Sequence, residues 1–205
     1  MASPAELEHA LRLGFVPHRI VLDSPAKTRR DLRRALAAGV RLNADNLDEL
    51  ERIDLILAEV YGGGGQRGLG SCTSRSIGVR INPQLGEGGI AATGTVALTS
   101  KFGVALEEAR PQLLAAYRRY AWLSCLHVHV GSQGCPLDLL VKGASAVLQL
   151  AKEINAHVGS RQVRVLDLGG GLPVDYESDA PDADVPERLT MARYAEALRE
   201  AVSSQ

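Results

Sequence analysis

Apolar and polar positions along the chain follow two recurring patterns, short apolar runs and longer amphipathic segments. Five apolar runs predict β-strands at 19–22, 40–44, 77–81, 124–130 and 163–168. Helical spacing predicts helices at about 4–13, 28–38, 105–120, 136–156 and 190–202, and a further helix that begins after Asn46. This alternation of strand and helix predicts an α/β fold with a parallel sheet, in which the strand C-termini share one face.

Helix boundaries are marked by capping residues and glycines. Ser3 and Glu6 have capping-box spacing, with Pro4 at the first helical position, and Asn46 with Glu49 has the same spacing. Gly39 is expected to end the second helix. The glycine-rich segment 62–70 is expected to be a flexible connector, because no Gly-Lys-Ser/Thr follows it as in a phosphate loop. A second loop, acidic in character, is expected at 175–187.

The number of strands leaves two architectures open. A closed (β/α) barrel has eight parallel strands and about 250 residues, whereas this chain of 205 residues gives five predicted strands. The chain is therefore expected to form either an open five-stranded sheet or part of a barrel.

Composition narrows the functional class. With 23 basic and 24 acidic residues the net charge is −1, so nothing in it favours binding to nucleic acid or to an anionic membrane. Cys72, Cys125 and Cys135 form no Cys-x-x-Cys pair and are expected to be reduced thiols. No apolar run is long enough to span a membrane. These features predict a soluble cytoplasmic enzyme.

Two strand ends carry the most informative chemistry. His127 and His129 are two residues apart on a predicted strand, so their side chains are expected to share a face. Gly169, Gly170 and Gly171 directly follow another strand; without Cβ atoms, their backbone can approach an anion closely and offer N–H groups. Together these segments suggest a site for a flat, phosphorylated cofactor.

Several segments also resemble, in order and spacing, the pyridoxal-phosphate-dependent decarboxylases of the alanine-racemase-like fold, the group that acts on diaminopimelate, ornithine and arginine. They are Ala2-Ser3-Pro4-Ala5-Glu6, Asp23-Ser24-Pro25-Ala26-Lys27, Asn43-Ala44-Asp45-Asn46, Arg80-Ile81-Asn82-Pro83, Thr93-Gly94, Ser100-Lys101-Phe102-Gly103, His127-Val128-His129-Val130-Gly131-Ser132-Gln133 and Asp167-Leu168-Gly169-Gly170-Gly171. The resemblance implies a partial (β/α)8 TIM-type barrel with parallel strands and outer helices.

The resemblance also assigns cofactor-binding roles for pyridoxal 5′-phosphate. It implies that His129 stacks on the pyridine ring, and that Ser132 and the backbone of Gly169, Gly170 and Gly171 hold the phosphate. A core histidine with satisfied hydrogen bonds is the alternative for His129.

Other charged or polar residues have two open interpretations each. Arg80 is either part of the cofactor pocket or a structural ion pair, because an unpaired charge at a buried strand end is costly. His127 either lines the pocket or packs in the core. By resemblance Lys101 lies near the active site at a dimer contact, and otherwise it is a solvated surface lysine. Asp167 either orients the strand end or caps the following turn.

By resemblance, the family's Schiff-base lysine and C-terminal β domain have no counterpart in this sequence. Residues 1–205 are therefore expected to be a partial cofactor-binding barrel domain that lacks the first strands, the last strand and the β domain. No catalytic residue and no metal site is expected in the chain, and the chain alone is expected to be inactive.

The expected function of the whole enzyme is decarboxylation of a basic or diamino amino acid, by a cytoplasmic homodimer without nucleic-acid or membrane partners. The alternatives are a racemase of the same fold and a non-catalytic cofactor-binding module.

Overall fold

The computed structural model describes residues 1–62, 76–85, 100–132, 135–172 and 190–203. Some sequence expectations lie outside these residues. They are those for most of the 62–70 loop, Cys72, Thr93-Gly94, Gln133 and the acidic loop 175–187.

A parallel sheet forms the centre of the fold. Its strands are β1 (Val21–Leu22), β2 (Arg41–Ala44), β3 (Ile77–Asn82), β4 (Val104–Ala105), β5 (Leu123–Val128) and β6 (Val165–Asp167). The spatial order is β1-β2-β3-β5-β6, every pair is parallel, and β4 pairs with β3 beside this path. The five predicted strands and their consecutive order are confirmed; β4, only two residues long, was not predicted. The sheet is a half-barrel with helices packed against it, as expected for part of a TIM-type barrel.

The described helices agree with the sequence pattern. They are α1 (Pro4–Arg12), α2 (Arg29–Ala38), α3 (Leu47–Tyr61), α4 (Leu106–Arg119), α5 (Leu137–Val158) and α6 (Met191–Ser203), with a short 3-10 turn at Pro17–Arg19. Gly39 ends α2 in the left-handed conformation, with φ +79°.

The capping predictions hold only in part. Ser3 Oγ accepts from Glu6 N at 3.2 Å, but the Glu6 carboxylate accepts from Ala2 N at 2.6 Å rather than from the cap residue itself. A complete capping box instead joins Thr28 and Asp31 at the start of α2.

Side chains alternate between the two faces of the sheet. One face is apolar and packs under the helices: Leu42, Val79, Leu126 and Val128 are all at most 1% exposed, and Val128 lies beside Gly143 of α5. The other face carries polar side chains from successive strands. The hydrophobic core therefore lies between sheet and helices, and the polar face lies on the concave side.

No helix in the described part of the chain is both long and apolar enough to cross a membrane. Within the same residues, no group of three or more His, Cys, Asp and Glu side chains is arranged to hold a metal ion.

Candidate functional site

Polar side chains from five strand ends meet on the concave face of the sheet. We call this set the inner polar cluster. It consists of Asp23, Asn43, Asp45, Arg80, His127 and Asp167. The sheet register places Arg80 opposite His127, and His127 opposite Asp167. Convergence follows from the parallel topology, because the C-terminal ends of parallel strands share one edge.

His127 lies at the centre of the cluster between two carboxylates. Its Nε2 is 3.1 Å from Asp23 Oδ2, and its Nδ1 is 3.1 Å from Asp167 Oδ2 and 3.0 Å from the Asp167 backbone oxygen. Burial alone would lower the pKa of His127, but hydrogen bonding and attraction to Asp167 and Asp23 outweigh burial and raise the pKa to about 9. The imidazole is therefore positively charged at neutral pH.

Asp167 is the most connected carboxylate of the cluster. Its Oδ2 accepts from Asn43 Nδ2 at 3.0 Å, and its Oδ1 accepts from the backbone N–H of Gly169 at 3.2 Å. Although burial raises the pKa of Asp167, the bond to His127 and the donors of Asn43 and Gly169 prevail, and the pKa falls to about 2. The capping interpretation of Asp167 agrees with its hydrogen bond to Gly169 N, whereas its role in orienting the strand end stays a prediction.

Arg80 is buried and has two loose ion pairs. Its Nη1 lies 3.6 Å from Asp23 Oδ2 and 3.7 Å from Asp45 Oδ1, and its guanidinium carbon is 5.0 Å from the centre of the Phe102 ring. Gly103 packs closely against Arg80, because a Cβ at its φ of +73° would lie 3.1 Å from Arg80 O and 3.2 Å from Arg80 Cγ. The structure thus contains the ion pairs that one interpretation of Arg80 required; its cofactor role stays a prediction.

Lys27 forms a buried ion pair that adjoins the cluster through Asp45. Its Nζ is 3.0 Å from Glu49 Oε2, and the two side chains are 0% and 2% exposed. The same oxygen of Glu49 accepts from Asp45 N at 2.8 Å, while Asn46 Oδ1 caps α3 by accepting from Glu49 N at 2.9 Å. Lys27 therefore connects the β1–α2 loop to the start of α3.

The glycine turn, residues 169–171, follows β6 directly and touches His129. Gly169 has φ +65°, and a Cβ there would lie 2.8 Å from Val128 O and 2.9 Å from His129 Nδ1. Gly171 has φ +118°, and a Cβ there would lie 2.4 Å from Gly131 O. Gly169 and Gly170 are exposed. Only glycine fits the first and last positions of this turn. Because no side chain covers these positions, the backbone of the turn is open to solvent.

His129 lies just beyond the end of β5 and accepts a backbone hydrogen bond. Gly170 N donates to His129 Nδ1 at 3.3 Å. Burial lowers the pKa of His129, and the positive charges of Arg80 and His127 lower it further. His129 is therefore a neutral ring with Nδ1 as acceptor, whereas His127, two residues before it, is charged.

Ser132 and Lys101 are exposed residues beside this region. Ser132 follows His129 after two residues and begins the turn into α5, where Cys135 N donates to its backbone oxygen at 3.2 Å. Lys101 Nζ lies 5.2 Å from the centre of the Phe102 ring, the same ring that Arg80 contacts. The structure thus brings Gly170 and His129 into direct contact and places Arg80 within electrostatic range of His129.

Sequence analysis missed the inner partners of the predicted residues. Asp23, Asn43 and Asp45 were noted only as parts of resembling segments, yet they surround Arg80, His127 and Asp167. Each lies at or directly after the C-terminal end of a predicted strand. That position is the signal that could have found them, because parallel strand ends converge.

Comparison with known families places the whole chain in one group. Residues 1–205 match the family described as pyridoxal-dependent decarboxylase, pyridoxal binding domain. A diaminopimelate decarboxylase from Pseudomonas aeruginosa is 34% identical over 188 residues, which cover 88% of this chain and 41% of the relative. Another from Pseudomonas fluorescens is 31% identical and covers 98% of this chain and 44% of the relative. The chain thus spans about two fifths of the length of these relatives.

Solved structures agree with this likeness. Diaminopimelate decarboxylase from Helicobacter pylori, in complex with L-lysine, superposes with a TM-score of 0.76 at 27% identity, over 98% of this chain and 47% of that one. The lysine/ornithine decarboxylase of Vibrio vulnificus, complexed with putrescine, has a TM-score of 0.69 at 21% identity, over 99% of this chain and 46% of that one. The second likeness supports the fold alone.

Proposed function

Because the chain belongs to the pyridoxal-dependent decarboxylase family, through its pyridoxal binding domain, we propose that it forms the cofactor-binding part of an amino-acid decarboxylase. The observation that carries the proposal is the glycine turn, exposed at a strand end and hydrogen-bonded through Gly170 to His129. We further propose that residues 1–205 make up part of a barrel domain, as the five consecutive parallel strands suggest.

The residues of this region fit pyridoxal 5′-phosphate, the cofactor of the family. A phosphate dianion needs a closely approachable backbone, and Gly169 and Gly171 leave no room for a Cβ that would shield the turn. The Gly169 and Gly170 N–H groups donate to Asp167 and His129, so they would have to share these hydrogen bonds with the phosphate. Ser132, three residues after His129, supplies an exposed hydroxyl. The neutral imidazole of His129 offers a flat face for an aromatic ring. We assign the phosphate to the turn and Ser132, and the ring to His129.

The cofactor and the protein contribute different chemistry. When bound, the cofactor's pyridinium ring withdraws electron density from the bond that breaks as CO2 leaves. The chain's own residues would bind and orient it: the turn Gly169–Gly171 would present its backbone to the phosphate, and His129 would present its ring face. Arg80 adds a fixed positive charge near this ring, held by Asp23 and Asp45. A positive charge there disfavours protonation of His129.

For the substrate of the whole enzyme, we propose a basic or diamino amino acid, with diaminopimelate as the first candidate. The named relatives at 34% and 31% identity are diaminopimelate decarboxylases. This favours decarboxylation over the racemase alternative, since the relatives and structures compared above are decarboxylases.

None of the chain's lysines is proposed as the Schiff-base lysine. Lys27 is fully buried in its pair with Glu49, which supports a structural role. Lys142 pairs with Asp138 on the exposed surface of α5, where Lys152 also lies exposed. Lys101 lies on an exposed turn against Phe102. We propose that the Schiff-base lysine of the enzyme lies outside this sequence.

Cofactor binding is tested by absorbance and fluorescence quenching with added pyridoxal phosphate, then borohydride reduction and peptide mapping. We expect reversible, salt-sensitive binding without a reduced adduct, because the attraction is partly to a dianion. His129→Ala should abolish the quenching. A reduced adduct at Lys27 would contradict the assignment and make this chain the lysine-bearing part of the enzyme. Absence of any binding would overturn the cofactor proposal.

The assembly and location of the enzyme remain proposals. We propose a homodimer with Lys101 near the contact, on the exposed turn beside Phe102, and a cytoplasmic location. The free cysteines Cys125 and Cys135 agree with a reducing compartment. Sedimentation of the full-length enzyme and of a Lys101→Ala variant tests the dimer contact.

A further inference from the structure

A side-chain hydrogen bond connects the glycine turn to the inner polar cluster. The carboxylate of Asp167 accepts from Gly169 N through Oδ1, and its other oxygen faces the cluster. A carboxylate that accepts a backbone N–H fixes the start of the turn, provided that the carboxylate itself cannot rotate.

Two donors on the opposite side prevent that rotation. Asn43 Nδ2 donates to Asp167 Oδ2 at 3.0 Å, and His127 Nδ1 lies 3.1 Å from the same oxygen. His127 is also 3.0 Å from the backbone oxygen of Asp167, so it contacts both parts of the residue. Asn43 and His127 are 2% and 3% exposed, which removes competition from water.

Asn43 reaches Asp167 only because Gly78 lies between them. Asn43 is on β2 and Asp167 on β6, with β3 and β5 in between. In the register Asn43 is opposite Gly78, and a Cβ on Gly78 would lie 2.8 Å from Asn43 Oδ1. The missing side chain therefore opens the path along which the amide crosses the concave face.

On the other side of Asp167, the turn packs closely against the end of β5. Gly169 already lies against Val128 O and His129 Nδ1, at distances that would exclude a Cβ. From there Gly170 N reaches His129 Nδ1. A displacement of Asp167 would therefore move the turn and the partner of the His129 ring together.

We propose that Asn43, His127 and Asp167 are positioning residues, which set the glycine turn and, through Gly170, the orientation and tautomer of His129. The inference rests on the proposed function in one respect, that this turn and this ring hold the cofactor. The three residues would act on the cofactor only through the backbone of the turn and the imidazole of His129.

The test uses the full 205-residue chain and the variants Asn43→Ala and Asp167→Asn. Without cofactor, NMR measures hydrogen exchange of the Gly169 and Gly170 amides and the ring nitrogen shifts of His129. We expect the wild type to have protonated Nε2 and unprotonated Nδ1 on His129. In both variants His129 should be a mixture of tautomers. The exchange rate of the Gly169 amide and the Kd for pyridoxal phosphate should each rise about tenfold, because one hydrogen bond to a charged group contributes about that factor.

Two controls separate positioning from general stability. Asp138→Asn removes an exposed carboxylate that pairs with Lys142, and should leave all three measurements unchanged. Thr28→Ala removes the cap of α2, and should lower the Tm without changing the turn or the His129 tautomer.

The outcomes for the two proposals are distinct. If Gly169 exchange and the His129 tautomer stay as in the wild type in both variants, the positioning role is overturned, whatever happens to affinity. If the wild type binds no pyridoxal phosphate, the proposed function fails, and the NMR measurements still decide whether these residues position the turn.

Discussion

His127 is a positive charge between two carboxylates, Asp23 and Asp167, at the centre of the concave face. Because its pKa is raised to about 9 from 6.5, the folded state binds a proton that the unfolded state releases between these values. The resulting stability is complete below pH 6.5 and is lost as pH rises to about 9. A difference of this size corresponds to about 3 kcal/mol.

We therefore expect His127→Gln to remove the fall in the free energy of unfolding between pH 6.5 and 9. Urea unfolding of wild type and variant at half-unit steps measures this difference. Cys125, whose pKa is raised to about 12 from 9.0 mainly by burial, contributes only above that window. A parallel decline in both proteins would show that His127 is not the titrating group.

A second prediction for single residues concerns the buried ion pair of Lys27 and Glu49. Lys27→Met leaves the Glu49 carboxylate buried without its cation, and should lower the free energy of unfolding by about 3–5 kcal/mol. The double variant with Glu49→Gln, which still accepts from Asp45 N, should recover part of that loss. Lys142→Met removes an exposed lysine and should change stability by less than about 1 kcal/mol. Equal effects at Lys27 and Lys142 would contradict the structural role.

Among the elements, the glycine turn after β6 has two positions with no room for a side chain, Gly169 and Gly171. Gly169→Ala places a Cβ 2.8 Å from Val128 O at φ +65° and should cost at least about 1–2 kcal/mol, the strain of a left-handed alanine alone. At Gly170 the nearest atom to a Cβ is His129 Cε1, at 4.0 Å, so Gly170→Ala should fold normally.

Thermal unfolding compares the two variants. Both replace a glycine by alanine, so a difference in Tm reports the backbone geometry at Gly169 and not the loss of a glycine as such. For a chain of this length, 1 kcal/mol corresponds to about 2–4 °C in Tm. A Tm of Gly169→Ala as high as that of Gly170→Ala would show that the turn adapts to a side chain.

The elements of the sheet were largely readable from sequence, while their polar contacts were not. Apolar runs predicted β2, β3, β5 and β6 to within a few residues, because buried parallel strands are continuously hydrophobic. The two-residue strand β4 has no such run. The partners of His127 were not predicted, because Asp23 and Asp167 are 144 positions apart in sequence. Only the pairing of β1 to β6 in one sheet brings both carboxylates to the His127 imidazole.

In the molecule as a whole, the concave face of the sheet carries polar side chains, and its convex face carries apolar side chains that pack under the helices. Hydrophobic periodicity identifies the convex side directly, since burial follows side-chain type. On the concave face, His129 and the glycine turn were noticed from their positions at predicted strand ends, and the resemblance added the roles proposed for them. Asn43 could not have been assigned to Asp167 without knowing that Gly78 leaves the space between them open.

The hydrogen bond between Asn43 and Asp167 has a consequence for the order of folding events. It joins residues 124 positions apart, and it can form only after β3 and β5 have docked between β2 and β6. Contacts that complete last are absent from the transition state, so their loss accelerates unfolding without slowing folding. Asn43→Ala should therefore raise the unfolding rate about tenfold and leave the refolding rate unchanged in stopped-flow experiments. Refolding slowed by the same factor would instead place this contact in the folding nucleus. On the expected outcome, the concave face is the last part of the sheet to form and the first to open.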